Sequence, residues 1–236
     1  VDIISTAIVI PARDEGASIA TVLEDIRQHC DYKVIVVDDG SRDCTAKIAE
    51  QLGVTVLRHF ESKGAWLAMQ TGMIYARRKG YSTVITMDAD GQHLGAGISA
   101  LVTAGYEADV VIGSSPSRGS VLRQIARALF RKLAGLNAKD LTSGFRLYNY
   151  EALKLLTSYR ASFLEYQDVG VLLFIKSAQL KVAEVAVEMN KRADGKSRIF
   201  SSWLKVLYYM ASTLLLSFAK SMPDKSFRKQ TENRSQ

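Results

Sequence analysis

Strands alternating with amphipathic helices predict an α/β fold, with a mainly parallel sheet covered by helices on both faces. Three observations carry that expectation. Short apolar, β-branched runs recur at Ala7-Ile8-Val9-Ile10, Lys33-Val-Ile-Val-Val37, Val54-Thr-Val-Leu57, Val84-Ile-Thr-Met87 and Val110-Val-Ile-Gly113. Segments with apolar residues at helical spacing separate the first four of them. The first, second and fourth runs each stop at a loop carrying carboxylates, at Pro11–Glu15, Asp38–Asp39 and Asp88–Asp90. In open α/β sheets ligands bind beyond the carboxyl ends of strands, so three strand ends are expected to converge on one acidic crevice.

Taken in order, Ala7 to Ile10 forms a strand ended by Pro11, followed by the loop PARDEG. Ser18 to His29 places Ile19, Val22, Leu23 and Ile26 on one helical face. The second strand, Lys33 to Val37, meets Asp38-Asp39-Gly40-Ser41. Cys44 to Leu52 is an amphipathic helix with Asp43 as its cap. After the third strand, Gly64 to Arg78 reads as a helix with Ala68, Met69, Gly72 and Tyr75 on its packing face. The fourth strand ends at Asp88-Ala89-Asp90, and the fifth spans Val110 to Gly113.

The 236 residues suffice for one large domain plus a short appendage. Charge is unevenly placed. From Lys191 to Gln236 there are 10 basic and 3 acidic residues, leaving 21 of each in the first 190. A neutral body with a basic end suits an anionic partner surface at that end. The two cysteines, Cys30 and Cys44, argue against a disulfide scaffold and fit a reducing compartment, where both are expected to serve as small packing residues. Val1-Asp2-Ile3-Ile4 lacks the pattern of a signal peptide.

Asp88 and Asp90, spaced i, i+2 on an extended segment, are expected to point the same way and to repel unless a cation lies between them. Gln92 adds a neutral oxygen. Hard oxygen ligands suit Mg²⁺ or Mn²⁺, especially where phosphates complete the shell. An ordinary acidic turn is the competing reading. The loop after the first strand contains neither GxGxxG nor GxxxxGK[ST], so phosphate charge has to be met by other means, and a metal at Asp88/Asp90 is the natural substitute.

IVIPARDEGASI, VIVVDDGSRDCTAKIA, KGAWLAMQTGM and MDADGQH, in this order, resemble family-2 glycosyltransferases of the GT-A (Rossmann-like) fold. DLTSGFRLYNYEAL and VAEVAVEMNKRADGKSRI are similar to the branch containing dolichyl/polyprenyl-phosphate mannosyltransferases. The resemblance covers roughly the first 200 residues. It implies a catalytic domain over 1–200, a nucleotide-sugar donor (UDP- or GDP-linked), a divalent metal and a polyprenyl-phosphate or other lipid acceptor. Pro11, Arg13 and Glu15 then match the nucleoside pocket. Asp39 matches the carboxylate that accepts from the base ring N–H, and Asp38 is either a second nucleotide contact or a brace for the loop. Lys63 lies near ribose and phosphates, and Ala89 falls in the donor-binding segment. Asp88, Asp90 and Gln92 match the metal and diphosphate site, with Asp90 foremost among the catalytic residues. Lys196 and Arg198 match a basic loop that closes over diphosphate. Leu141 to Arg146 matches an acceptor-side wall, in which Gly144 and Phe145 either approach the donor sugar or supply only a turn and packing. In one departure from the pattern, Ser115 stands where an Arg is usual; Arg118 and Arg123 are the nearby candidates to meet the acceptor phosphate.

A lipid phosphate is already anionic, so it needs no general base; a saccharide or lipid hydroxyl acceptor would need one, for which Asp168 is the first candidate and Glu165 the second. Val121 to Leu133 and Val206 to Ala219 read as amphipathic or interfacial helices, the second too short to span a bilayer and followed by Lys220, Lys225, Arg228 and Lys229. A C-terminal segment 201–236 at the inner, cytoplasmic face of a membrane is therefore expected, against the alternatives of a core-completing helix or a homo-oligomer interface. Nucleic acid is not an expected partner, since no groove-reading motif accompanies the basic end. A sugar nucleotidyltransferase and a binding-only protein are the remaining alternatives.

Overall fold

The computed structural model describes residues 5–115, 143–164 and 169–190, all within the compact unit Val1–Asp194. Among them, the strands are β1 (Thr6–Ala12), β2 (Lys33–Asp38), β3 (Thr55–Arg58), β4 (Thr83–Thr86), β5 (Val110–Ser114), β6 (Arg146–Tyr148) and β7 (Val182–Ala186). The helices are α1 (Ile19–His29), α2 (Thr45–Gln51), α3 (Ala65–Arg78), α4 (Ile98–Ala104), α5 (Tyr150–Leu156) and α6 (Val169–Ser177). The strands form one sheet in the order β3-β2-β1-β4-β6-β5-β7. Pairing is parallel except around β6, which runs antiparallel to both β4 and β5.

Alternation along the central strands sends successive side chains to opposite faces. Ile8, Ile10, Val34 and Val36 share a core cluster with Ile19, Val22, Leu23 and Ile26, the apolar stripe of α1. Val9 and Val37 face the other way and meet α3 at Gly72, where a Cβ would run into the Val9 side chain. The absent side chain lets that helix lie directly on β1 and β2. On the same helix Trp66, Ala68, Met69, Met73 and Ala76 are buried, whereas Tyr75 is only partly so.

Four features depart from the sequence reading. Pro11 does not end the first strand, because β1 stays in register with β2 through Pro11↔Val37 and Ala12↔Asp38. Its pairing with β4 has already ended at Val9↔Thr86, so the N–H that Pro11 lacks falls where one side of the ladder has opened. A central strand not expected from the sequence, β6, begins at the fully buried Arg146, the last residue of the expected acceptor wall 141–146. Cys44 is exposed at the start of α2 rather than packed, and both cysteines are free thiols. The DxD segment is not an extended strand: β4 stops at Thr86 and the chain turns at Ala89-Asp90.

No helix among the described residues is long and apolar enough to cross a membrane. The expected helices at 121–133 and 206–219 and the basic tail lie outside the described residues. Close packing at Gly72 makes a quantitative prediction. Gly72→Ala should lower the unfolding free energy by about 1–3 kcal/mol, the usual cost of overpacking, measured by urea denaturation.

Candidate functional site

The loops after β1 and β2 are joined by hydrogen bonds in which backbone groups of one meet short polar side chains of the other. The Asp14 N–H donates to Ser41 Oγ (2.9 Å), the Glu15 N–H to Thr45 Oγ1 (2.8 Å) and the Gly16 N–H to Asp43 Oδ2 (2.9 Å). In return the Arg42 N–H donates to Asp14 Oδ1 (2.8 Å). Asp14 adopts φ 53°, a left-handed conformation that Asp tolerates better than most residues. Asp43, two residues before α2, also accepts from the Thr45 N–H at 2.9 Å and from the Thr45 hydroxyl, while the N-cap position itself falls to Cys44 rather than to Asp43. Burial works to raise the Asp43 carboxyl, but the Thr45 and Gly16 donors outweigh it and hold it below its ordinary value.

Asp39 is the hub of the next connection. Its Oδ1 accepts from His59 Nδ1 (2.8 Å) and the Lys63 N–H (2.8 Å), and its Oδ2 accepts from Ser62 Oγ (2.7 Å) and the Gly64 N–H (2.9 Å). Four donors match the roughly four lone-pair sites of a carboxylate. Burial favours the neutral acid, but these donors prevail and keep the Asp39 carboxyl below the usual range. Asp39 thus braces the β3–α3 loop, the kind of role that the sequence offered as one of two alternatives for Asp38. Ser62 is the exchangeable donor, because its hydroxyl can rotate away while the backbone N–H groups cannot. Asp38 accepts only a long contact from the Ser41 N–H (3.3 Å) and helps to line a cleft of about 700 Å³ with Arg13, Arg42, Arg58, Phe60 and Ser62. Arg13 Nη1 donates to Ser62 Oγ at 2.7 Å. Pro11 and Glu15 flank Arg13 in sequence, and the Lys63 side chain is exposed.

The fourth strand end is held on two sides. Ser18 Oγ donates to the Ala89 carbonyl (2.8 Å), tying the start of α1 to the DxD turn. Within that turn the Gln92 N–H donates to Asp90 Oδ1 (3.1 Å), and Asn190 N–H closes on the Gln92 carbonyl (2.9 Å). Asp88 and Asp90 are half-buried and Gln92 is buried. The Asp88 N–H donates to His93 Nδ1 (3.0 Å), which leaves Nε2 as the protonated ring nitrogen, 3.6 Å from Asp88 Oδ2. His93 stacks on Phe145 with ring centroids 5.2 Å apart. Gly144 lies against Asp88, and a Cβ there would fall 2.5 Å from Oδ1 and 2.8 Å from Oδ2. Its carbonyl accepts from Thr86 Oγ1 at 2.7 Å.

Gly144 is therefore more than a turn, since it makes the room in which the Asp88 carboxylate lies. Phe145 is a packing residue, fully buried beneath His93. Ser18, Ser62 and His93 escaped the sequence reading. The last stands one residue beyond Gln92, a cue that was available in DGQH. No group of three or more His, Cys, Asp or Glu among the described residues forms a metal cage of its own. Arg118, Arg123, Glu165, Asp168, Lys196 and Arg198 lie outside the described residues, as do Leu141 and Thr142.

Comparisons with known proteins converge on one family. The model for "Glycosyl transferase family 2" matches residues 7–161. The polyprenol monophosphomannose synthase of Mycolicibacterium smegmatis is 32% identical over 167 residues, covering 63% of this chain and 63% of that protein. The undecaprenyl-phosphate mannosyltransferase of Micrococcus luteus is 28% identical, covering 81% of this chain and 86% of that protein. The chain thus spans under two thirds of the length of the first of these relatives. Among solved structures, glucosyl-3-phosphoglycerate synthase from Mycobacterium tuberculosis with Mn²⁺, UDP and glucosyl-3-phosphoglycerate superposes with a TM-score of 0.68 at 21% identity, over 94% of this chain and 81% of that one. At that identity the likeness establishes the shared fold.

The Asp39 brace predicts a pH-dependent stability. A carboxyl held below its unfolded value stabilises the fold above about pH 4, and the effect is lost as pH falls through the lower folded value. Asp39→Asn should cost about 1–3 kcal/mol at pH 7, with the gap from the parent protein closing in acid. Denaturant titrations from pH 7 to pH 3 measure this, and a gap that does not change with pH contradicts it.

Proposed function

The chain belongs to glycosyl transferase family 2, and from that membership we propose that it is an inverting glycosyltransferase. It moves a sugar from a UDP- or GDP-linked donor to a polyprenyl or dolichyl phosphate at a membrane surface. The observation that carries the reading is the joining of the β1, β2 and β4 ends into one site, by the β1–β2 loop bonds and by Ser18 on Ala89. The mycobacterial and Micrococcus relatives, a monophosphomannose synthase and a mannosyltransferase on polyprenyl carriers, support the acceptor class.

Asp88, Asp90 and Gln92 offer an all-oxygen donor set of the kind that suits a small divalent cation completed by phosphate oxygens, and the bare Cα of Gly144 lets the Asp88 carboxylate lie where it does. Bound there, Mg²⁺ or Mn²⁺ would supply positive charge against the diphosphate as the bond to the sugar breaks. The Mn²⁺ and UDP held together by the Mycobacterium tuberculosis synthase support this assignment.

The rest of the work falls to side chains. The cleft beside Arg13 and Asp38 takes the nucleoside, and Asp39 turns one lone pair to a base N–H when Ser62 swings away. Pro11, Glu15, Lys63 and Ala89 line the donor's path, and Lys196 and Arg198 add positive charge to the departing diphosphate. The acceptor phosphate oxygen attacks C1 from the face opposite the leaving group. It is already anionic, so Asp168 is not needed as a base. Arg118 or Arg123 meets its charge. The catalytic domain spans 1–200, and the segment 201–236 associates with the cytoplasmic face of the membrane.

A donor panel tests the proposal. UDP- and GDP-sugars are incubated with the purified protein, Mg²⁺ or Mn²⁺, and a polyprenyl phosphate. Transfer from one nucleotide series is expected, with at least a roughly 100-fold loss in Asp90→Ala, the order seen when a single transition-state contact is removed. No transfer from either series to polyprenyl phosphate would refute the acceptor assignment, and full activity in Asp90→Ala would refute the role of that residue.

A further inference from the structure

The cleft at the ends of β1, β2 and β3 contains two ring-bearing side chains, His59 and Phe60, adjacent in sequence and opposite in circumstance. His59 is committed: Nδ1 lies 2.8 Å from Asp39 Oδ1 and Nε2 lies 3.0 Å from Thr71 Oγ1, and its side chain is almost buried. Phe60 is fully exposed on the rim. The side chains around it are polar or charged, with three arginines (Arg13, Arg42 and Arg58) against two carboxylates (Asp38 and Glu61). An isolated apolar ring among charged groups, arginines in the majority, does nothing for the fold, since it buries no area. It does suit a flat ligand that carries negative charge at one end, because every nucleobase presents a π-face and its diphosphate is anionic.

We infer that Phe60 is the stacking platform for the nucleobase of the donor, and that the neighbouring arginines draw the anionic nucleotide into the cleft. This deepens the donor reading of the same cleft and rests on it. The hydrogen-bond network beneath explains why the platform is held steady. His59 fixes the preceding residue to Asp39 and Thr71, and Ser62, Lys63 and Gly64 fix the following ones to Asp39. Phe60 therefore rides on a loop pinned at both ends. Stacking is tolerant of base identity, so the platform supplies affinity, while the choice between uracil and guanine is left to groups that meet the base edge.

The experiment measures UDP, GDP and ribose 5-phosphate binding by calorimetry to the full chain and to its Phe60→Ala and Phe60→Trp variants. The nucleotide that the parent protein binds should weaken roughly 5- to 150-fold in Phe60→Ala and keep its affinity in Phe60→Trp. Its addition should quench the new tryptophan's fluorescence. Ribose 5-phosphate, which has no base, should bind all three proteins alike, and melting temperatures should match because the ring is exposed. Unchanged nucleotide affinity in Phe60→Ala overturns the platform and leaves the donor reading standing, as does an equal loss for ribose 5-phosphate. A parent protein that binds neither nucleotide overturns the donor reading and the platform with it.

Discussion

The site depends on a set of hydrogen bonds between loops that the sheet alone would only bring near one another. A parallel sheet delivers the carboxyl ends of β1, β2 and β4 to one edge, but the loops beyond them have no ladder to hold them. Here backbone N–H groups of 14–16 bond to Ser41, Asp43 and Thr45, and Ser18 reaches the Ala89 carbonyl. Each such bond contributes only about 0.5–1.5 kcal/mol net. Together they restrict loops that would otherwise sample many conformations, which is how a site is preorganised.

Two carboxylates in neighbouring loops meet opposite fates for the same physical reason. Asp39 is met by four donors, of which only the Ser62 hydroxyl is exchangeable, and so braces its loop. Asp88 has its backbone N–H pinned by His93 and its carboxylate cleared by the bare Cα of Gly144. The first arrangement holds a loop in place, and the second keeps an oxygen pair open to an incoming charge. A carboxylate's function is thus decided by how many of its lone pairs the protein itself takes up.

Much of this was legible in the sequence. The Val/Ile runs and the 3.6-residue spacing located β1 to β5 and α1 to α3 within a residue or two, because those elements bury continuous apolar stripes. The carboxylate-bearing loops at the strand ends are also where the loop-to-loop hydrogen bonds form. Three features were harder to read. Arg146 opens a central strand despite its charge, and such short strands have little periodicity to detect. Asp38 and Asp39 are adjacent and chemically identical, so only the loop at 59–64, some twenty residues away, separates brace from cleft lining. Pro11 looked like a terminator because its effect depends on whether the partner strand on that side has already ended.

The openness of the Asp88 carboxylate to a cation is tested by titrating UDP or GDP into the protein with and without Mn²⁺. Mn²⁺ should tighten binding of the cognate diphosphate in the parent protein. Gly144→Ala, whose Cβ would crowd the Asp88 carboxylate, should remove that gain while leaving metal-free affinity intact. Equal affinity in the presence and absence of Mn²⁺, or an undiminished gain in Gly144→Ala, would contradict it.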